Sequence, residues 1–292
     1  MGALAIWRFL GAHPLARRHR YRAALRVIAW QVRSRLLPGG TVVSFVDGSQ
    51  LFATRGMTGA TGNVYAGLHE FEDMGFVAHA LRPGDLFVDV GANVGSYTVL
   101  AAARGARCVS FEPIASTRVH LERNVEINGF ENLVEVHGAA VGRAPGELLM
   151  TADLDTVNHV ATSAEAHTVR VPVETLDGAL GDRSATLIKI DVEGFEAEVI
   201  GGAARMLAET PPLAFVIELN DSAERYRFDE DAVVRTLTEA GYGPCSYDPL
   251  TRALEPTTAR AHGGNTIFVR DLGETRRRVR EALPFTVLGE RI

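Results

Sequence analysis

Apolar positions in this chain follow two rhythms. Beyond about residue 85, short runs rich in β-branched and aromatic residues alternate with stretches of helical period. The runs are Leu86–Val88, Ala106–Phe111 (ARCVSF), Leu133–Val136, Leu187–Val192 (LIKIDV) and Ala214–Leu219 (AFVIEL). Short runs that are apolar throughout suit strands buried on both faces, and the alternation with helices predicts a mostly parallel sheet covered on both sides. Helices are expected over 116–128, with Gly129 as the C-cap, over 193–207 and over 230–240. Two further strands are expected near 245–247 and 266–269. Residues 147–173 alternate apolar and polar positions around turns, which predicts an inserted β-hairpin whose loop carries Asn158 and His159.

Before residue 83 the rhythm is mostly helical. Leu25, Ile28, Val32 and Leu36 make a stripe among Arg22, Arg26, Arg33 and Arg35, read here as the packing face of an amphipathic helix with a solvated basic side. A lid, a dimer arm or a membrane-surface helix are the functional readings of the same pattern. Pro38, Gly39 and Gly40 end it. Thr41–Thr54 reads as a hairpin turning at Asp47-Gly48. Residues 64–81 read as one helix, and Pro83-Gly84 turns the chain into the first strand. The division expected is an arm over 1–60 and the main α/β domain over 61–292. Residues ahead of the turn would lie at the strand's entrance or over its carboxyl end, where Tyr65 and Glu70 would face a ligand.

Composition narrows the class. The chain has 292 residues, 46% hydrophobic, and no long apolar run, as expected for a soluble globular protein without a transmembrane segment. A net charge of −6 gives no general attraction to nucleic acid. Cys108 and Cys245 are the only cysteines, too few for a disulfide framework or a zinc site. The apolar piece Leu4–Leu10 is short and interrupted by Arg8, unlike a secretory signal, so a cytoplasmic location is expected. Whether copies of the chain associate is left open.

The densest chemistry lies in DLFVDVGANVGSYT, Asp85 to Thr98. An apolar run ends in Asp89, a glycine turn follows, and a helix begins. Glycines let a ligand approach the backbone, and the helix start offers unpaired N–H groups. Glu112 lies 23 positions after Asp89, where folds of this kind place an acid that accepts from ribose hydroxyls, about 20 residues on. The third glycine of a dinucleotide fingerprint would fall at 96, which is serine, and no G-K-[ST] phosphate loop occurs. NAD and ATP are therefore disfavoured. An acid beside the turn suits a phosphate-free nucleoside carrying a cationic amino group.

These motifs together resemble the FkbM-type family of S-adenosylmethionine-dependent methyltransferases. FVDVGANVGSYT, the FEP at Phe111–Pro113, ERNVEINGF from Glu122, VHGAAVG from Val136, TLD at Thr175–Asp177 and LIKIDVEGFEAEVIGGA from Leu187 stand in the family's order. The resemblance implies a class I methyltransferase fold, a Rossmann-like seven-stranded sheet with helices on both faces. It implies a cradle for S-adenosyl-L-methionine at Asp89, Gly91, Asn93 and Gly95. Glu112 and Pro113 would lie at the ribose, Gly138, Ala139 and Ala140 near the adenine, and Asp191 beside the donor.

Methyl transfer is an in-line displacement at a sulfonium, so holding the nucleophile at attack distance is most of the work. A hydroxyl also needs a base to take its proton. Lys189, the single lysine of the chain, alternates with Asp191 and Glu193. In an extended strand all three would point to the cofactor cleft. Asp191 or Glu193 is expected to accept the proton, with Lys189 paired to one of them. The alternative is an ion-pair network that only fixes the strand end. Asn158, His159, Glu218, Asn220 and Tyr65 are candidate substrate contacts. Asp191, Glu193 and Glu218 carry hard oxygens that suit Mg²⁺, but no ligand spacing fixes a site, and no metal is expected. The function expected is O-methylation of a small molecule, a sugar or polyketide natural-product intermediate. An N-methyltransferase and a non-catalytic cofactor-binding protein are the alternatives.

Overall fold

The computed structural model describes residues 3–37, 39–151, 159–161, 167–220, 230–258 and 264–292. Its centre is an eight-stranded sheet. Numbered in chain order, the strands are β1 Leu86–Val90, β2 Arg107–Phe111, β3 Val134–His137, β4 Leu187–Ile190, β5 Ala214–Leu219, β6 Gly243–Asp248, β7 Ala253–Pro256 and β8 Gly264–Val269. Across the sheet they run 7-6-8-5-4-1-2-3. Strands β3, β2, β1, β4 and β5 are parallel to their neighbours, and β8 is antiparallel to β5 and to β6. This is the class I methyltransferase arrangement, with one correction: β7 adds an eighth, antiparallel edge strand beside β6.

Alternation along β1 feeds both faces. Phe87 packs into one core with Leu187, Val216 and the Phe71–Ala80 helix. Val88 and Val90 enter the opposite core with Ile188, Ile217 and Phe268. After β1 the chain winds outward through β2 and β3, then returns to β4 on the other side of β1. That reversal opens a crevice at the carboxyl ends of β1 and β4, where open α/β sheets bind ligands. The inserted segment is a three-stranded sheet of Ala140–Val141, Gly146–Thr151 and Thr168–Glu174, one short strand more than the hairpin expected.

The amino-terminal region departs from expectation in two places. The hairpin forms, Thr41–Ser44 against Gln50–Ala53, with Asp47 at φ 50° and Gly48 at φ 84°. Residues 64–81 are not one helix, however. Thr58–Ala66 ends and Phe71–Ala80 begins anew. Gly67 stops the first at φ 87°, a conformation that favours glycine, and Asn63 Oδ1 accepts from the His69 N–H at 2.7 Å. The second correction concerns Leu25, Ile28, Val32 and Leu36, which are 64%, 54%, 53% and 74% exposed. The Arg20–Leu36 helix buries Ala23, Val27, Trp30 and Ser34 instead. Period alone cannot say which of two apolar faces packs.

Candidate active site

The glycine turn is built by its neighbours. Gly91 and Ala92 donate to the Phe111 carbonyl at 3.1 and 2.9 Å. Gly91 has φ 79°, and a Cβ there would lie 1.8 Å from the Asp191 carbonyl oxygen, so only glycine lets β1 and β4 end side by side. Asn93 takes φ 52°, a left-handed conformation that asparagine tolerates. Its N–H donates to Glu112 Oε2 at 3.0 Å. Gly95 caps the Ser96–Ala103 helix, and a Cβ there would meet Leu121 Cδ1 at 2.3 Å. Buried Asn124, in the ERNVEINGF stretch, donates to the Val94 carbonyl and accepts from the Phe52 N–H. It thereby ties the turn to the amino-terminal hairpin, a role no spacing announced.

A cavity of about 270 Å³ opens on this turn. Asp89, Gly91, Asn93, Glu112, Pro113, Ala139 and Ala140 are among its lining residues, as are Lys189, Asp191, Glu193 and Glu218. Glu112 is 6% exposed and accepts from Asn93 and Ile114 N–H groups. Burial pushes its carboxyl up to about 7 against those two bonds. Because a carboxylate has about four lone-pair sites, it keeps capacity for further donors. Asp89 stands opposite Lys189 in the β1–β4 register and accepts from Thr98 Oγ1 at 2.6 Å. Burial raises it to about 6, and Lys189 opposes the rise.

Lys189 is 3% exposed, and its Nζ donates to Asp191 Oδ2 at 2.7 Å. The Nζ also lies 4.8 Å from the Tyr97 ring centre, within cation–π range. Burial works against its charge, but Asp191, Glu70 and Asp89 hold the ammonium above the usual lysine range. Burial would raise Asp191; Lys189 and a hydrogen bond from Glu218 instead keep it below the usual carboxylate range. Burial and the Asp191 charge push Glu218 far up, so it is the protonated partner. One cation, one anion and one neutral acid thus follow in line.

Glu193 reaches the cavity by a route the sequence pattern did not suggest. β4 ends at Ile190, and one further ladder bond, from the Asp191 N–H to the Val90 carbonyl, carries the extended chain to Asp191 but not to Glu193. Glu193 lies in the following turn at φ 55°, before Gly194 at φ 101°. Buried Glu196 secures that turn by accepting from the Val192 and Gly194 N–H groups.

Several other sequence candidates lie elsewhere. Tyr65 does not line the cavity: it is 1% exposed, and its hydroxyl accepts from Gln31 at 2.7 Å. Glu70 does line it, because the break at Gly67 turns the chain there, and it accepts from the Tyr97 hydroxyl at 2.6 Å. Gly138 abuts the Arg118 guanidinium and is not in the lining, whereas Ala139 and Ala140, with Val141 after them, reach the cavity. His159 is buried beside Thr151, and its neighbour Val160 lines the cavity in its place. Asn220, past the end of β5, is not in the lining. Asn158 falls outside the described residues. Asn63 and Met74, outside every motif, also contribute lining, as do Ser96 and Phe195, which lie within motifs but were not among the site candidates.

A family model described as Methyltransferase FkbM domain matches residues 89–244, more than half of the chain and the whole span from Asp89 to past β5. The chain belongs to the FkbM methyltransferase family. This FkbM domain is 29% identical to a stretch of the AMB antimetabolite synthetase AmbE of Pseudomonas aeruginosa, over 42% of this chain and 8% of AmbE. It is also similar to the solved methyltransferase FkbM of Methylobacillus flagellatus KT, at 18% identity and TM-score 0.43, over 65% of this chain and 44% of that one. A third similarity is to an rRNA methylase of Streptococcus thermophilus, at 12% identity and TM-score 0.42, over 68% and 93%. Among the described residues of this FkbM-family chain, no helix is long and apolar enough to cross a membrane.

The buried acids set a pH dependence. Asp89 titrates at about 6, and Asp73, Glu112 and Glu196 at about 7, each raised chiefly by burial. All exceed the roughly 4 of an unfolded carboxyl, so the native state binds more protons than the unfolded one between these values, and stability falls as pH rises. The lowered Asp191 acts below its ordinary range and the raised Lys189 above its own, both outside this window; Glu218, raised further by burial, adds to the slope, while His13 and His79, lowered by burial, oppose part of it as the unfolded imidazoles protonate. The melting temperature of the unliganded protein is expected to rise on the order of 5 °C from pH 8 to pH 5.5. A thermal scan across that range checks it, and Glu112→Gln should flatten the slope.

Proposed function

We propose that this methyltransferase uses S-adenosyl-L-methionine, releasing S-adenosyl-L-homocysteine, and methylates a hydroxyl of a small molecule, a sugar or polyketide natural-product intermediate. The observation that carries the reading is the Lys189–Asp191–Glu218 line with Glu193 beside it, facing the glycine turn across one cavity. The cradle fits such a cofactor. Gly91, which lets β1 and β4 end side by side, presents bare backbone to the cavity, and Glu112 is set by two N–H bonds. No arginine lines the cavity among the described residues, and its one lysine is engaged by Asp191. A phosphate-free, cationic nucleoside therefore suits it better than a pyrophosphate.

When bound, S-adenosylmethionine supplies a methyl group activated by a sulfonium. The chain's own residues do the rest. Glu112 accepts from the ribose hydroxyls, and Ala139 and Ala140 leave room beside them. Asp191, held anionic by Lys189 and by the Glu218 proton, orients the acceptor hydroxyl. A carboxylate kept so low is a weak base, so Glu193 accepts the proton as attack proceeds. Lys189 supplies the positive charge of the cluster. Asp191, Glu193 and Glu218 oxygens lie within 4.8 Å of one another, a set that could hold a metal ion; on this reading Mg²⁺ is not required.

The natural-product setting, though not the sugar or polyketide class, is supported by the similarity to part of a protein named as an antimetabolite synthetase. A second reading, N-methylation, is favoured by one feature, the acids Glu70, Asp191, Glu193 and Glu218 around the cavity, which would hold an ammonium. Incubation with S-adenosylmethionine labelled in its methyl group, excess EDTA, and panels of hydroxylated and amino acceptors tests the proposal. Label on oxygen in EDTA supports it. Label only on nitrogen, or activity only with added Mg²⁺, contradicts it. Cofactor binding without transfer to any acceptor would favour a non-catalytic binding protein.

A further inference from the structure

The Arg20–Leu36 helix has two apolar faces. At about 100° per residue, Ala23, Val27, Trp30 and Ser34 share one side, and these are the residues buried on the protein. Tyr21, Leu25, Ile28, Val32 and Leu36 share the opposite side, and each is more than half exposed, from 53% to 90%. Large exposed apolar side chains scattered singly need no explanation, but five in register along one helix make a continuous stripe. Leu37 extends it at the helix end, 48% exposed.

Along the amino-terminal segment the charge is of one sign, and the acid that reaches this helix, Glu290, meets its N-cap His19 rather than the stripe. Eight arginines fall between Arg8 and Arg35, and no acid occurs before Asp47. From Asp47 onward the chain has 22 basic against 36 acidic residues, so the protein is strongly polarised. Seven of the eight arginines are exposed, and among the described residues none of the eight pairs with a carboxylate. Arg26, the exception to exposure, donates inward to the Tyr65 carbonyl. An apolar stripe flanked by arginines, on a helix too short and too charged to span, is the pattern of a helix that lies in a lipid–water interface. The arginines specify an anionic surface.

We propose that this helix docks the protein on an anionic lipid surface, with Leu25, Ile28, Val32 and Leu36 entering the headgroup–acyl boundary and Arg22 and Arg33 meeting lipid phosphates. The inference is independent of the acceptor and of the methyl donor. The docked helix packs on Thr58–Ala66, which carries Gly59 and Asn63 into the cavity lining, so the surface and the catalytic cavity share a wall.

Co-sedimentation of the full chain with vesicles tests it. Vesicles of phosphatidylcholine with about 30% phosphatidylglycerol at low salt are expected to carry down most of the protein, and pure phosphatidylcholine vesicles less than about a tenth. Raising the salt to about 0.5 M should release it, because the Debye length falls below about 5 Å. Ile28→Asp with Val32→Asp should lower the partition coefficient at least tenfold while leaving the melting temperature and any methyl transfer to soluble acceptors unchanged. Arg22→Gln with Arg33→Gln should weaken binding to charged vesicles alone. The proposal is overturned by equal binding to neutral and anionic vesicles, or by no binding to either. It is also overturned if light scattering shows a dimer that Ile28→Asp with Val32→Asp turns into monomer, because the stripe would then be a contact between copies.

Discussion

Glutamine at position 193 is expected to lower kcat for methyl transfer by about 10²–10⁴-fold, the usual contribution of a positioned base, while cofactor affinity changes little. The amide keeps the shape of the side chain and its place in the cavity lining but cannot take a proton. Turnover with saturating donor, measured beside donor affinity, separates the two effects. Asp191→Asn should behave differently. It removes the negative charge that Lys189 Nζ meets at 2.7 Å and leaves the buried cation without that counter-charge, so stability falls along with turnover. Glycine at 193 sharpens the test further. Glu193 holds φ 55°, which costs a non-glycine residue on the order of 1 kcal/mol. Glu193→Gly should therefore abolish turnover while raising the melting temperature by about 2 °C. Strain of this kind also occurs at Arg252 and Leu288, away from the cavity, so the kinetic readout and not the strain decides the role of Glu193. Glu193→Gly with unimpaired kcat would remove Glu193 from the chemistry.

Alanine at position 91 should have the largest structural effect of any single methyl group added to this chain. Its Cβ would stand 1.8 Å from the Asp191 carbonyl oxygen. That neighbour is backbone and cannot rotate away. The carboxyl ends of β1 and β4 would have to part, and both the turn and the Lys189–Asp191 pair depend on their closeness. Clash and left-handed strain together are expected to destabilise by about 3–5 kcal/mol and abolish cofactor binding. Gly84→Ala isolates the strain component. Gly84 has φ 87°, and its Cβ would meet nothing within 4 Å, so a loss of about 1 kcal/mol is expected there. Denaturant unfolding of both variants measures the difference. Equal losses would mean that the contact at Gly91 does not govern.

The sequence showed the sheet well because its strands are apolar on both faces. β5 matches its predicted run from Ala214 to Leu219, and β1 and β4 differ from theirs only at the ends. Local turn chemistry was equally legible at Asp47-Gly48 and Gly91–Gly95. What stayed hidden depended on contacts between distant segments. Gly67 reads as an ordinary helical glycine until Val287 and Leu288 are seen packed where its Cβ would be. Without that break Glu70 has no reason to face Tyr97. β7 is a short edge strand whose Ala253–Pro256 run includes a proline and a glutamate, a weak pattern that acquires meaning beside β6. Tyr65 was placed near the ligand by its position along the chain, but its direction is set by Gln31 on another helix. Alternation put Glu193 in line with Asp191, whereas a left-handed turn delivers it. The stripe at Leu25 and Ile28 has the right period, but it faces away from the core.

The account rests on a nucleoside sulfonium lodging between the turn at Gly91 and the carboxylate of Glu112. Calorimetric titration with S-adenosylhomocysteine, run on the native chain and on Glu112→Ala, tests this most directly. The account predicts one site per chain for the native protein, no heat with NAD or ATP, and affinity weakened about 30-fold or more by the substitution, as expected for losing hydrogen bonds to a charged acceptor. Native protein that ignores S-adenosylhomocysteine while binding a phosphorylated nucleotide, or an alanine variant that binds it as tightly as before, would contradict the account.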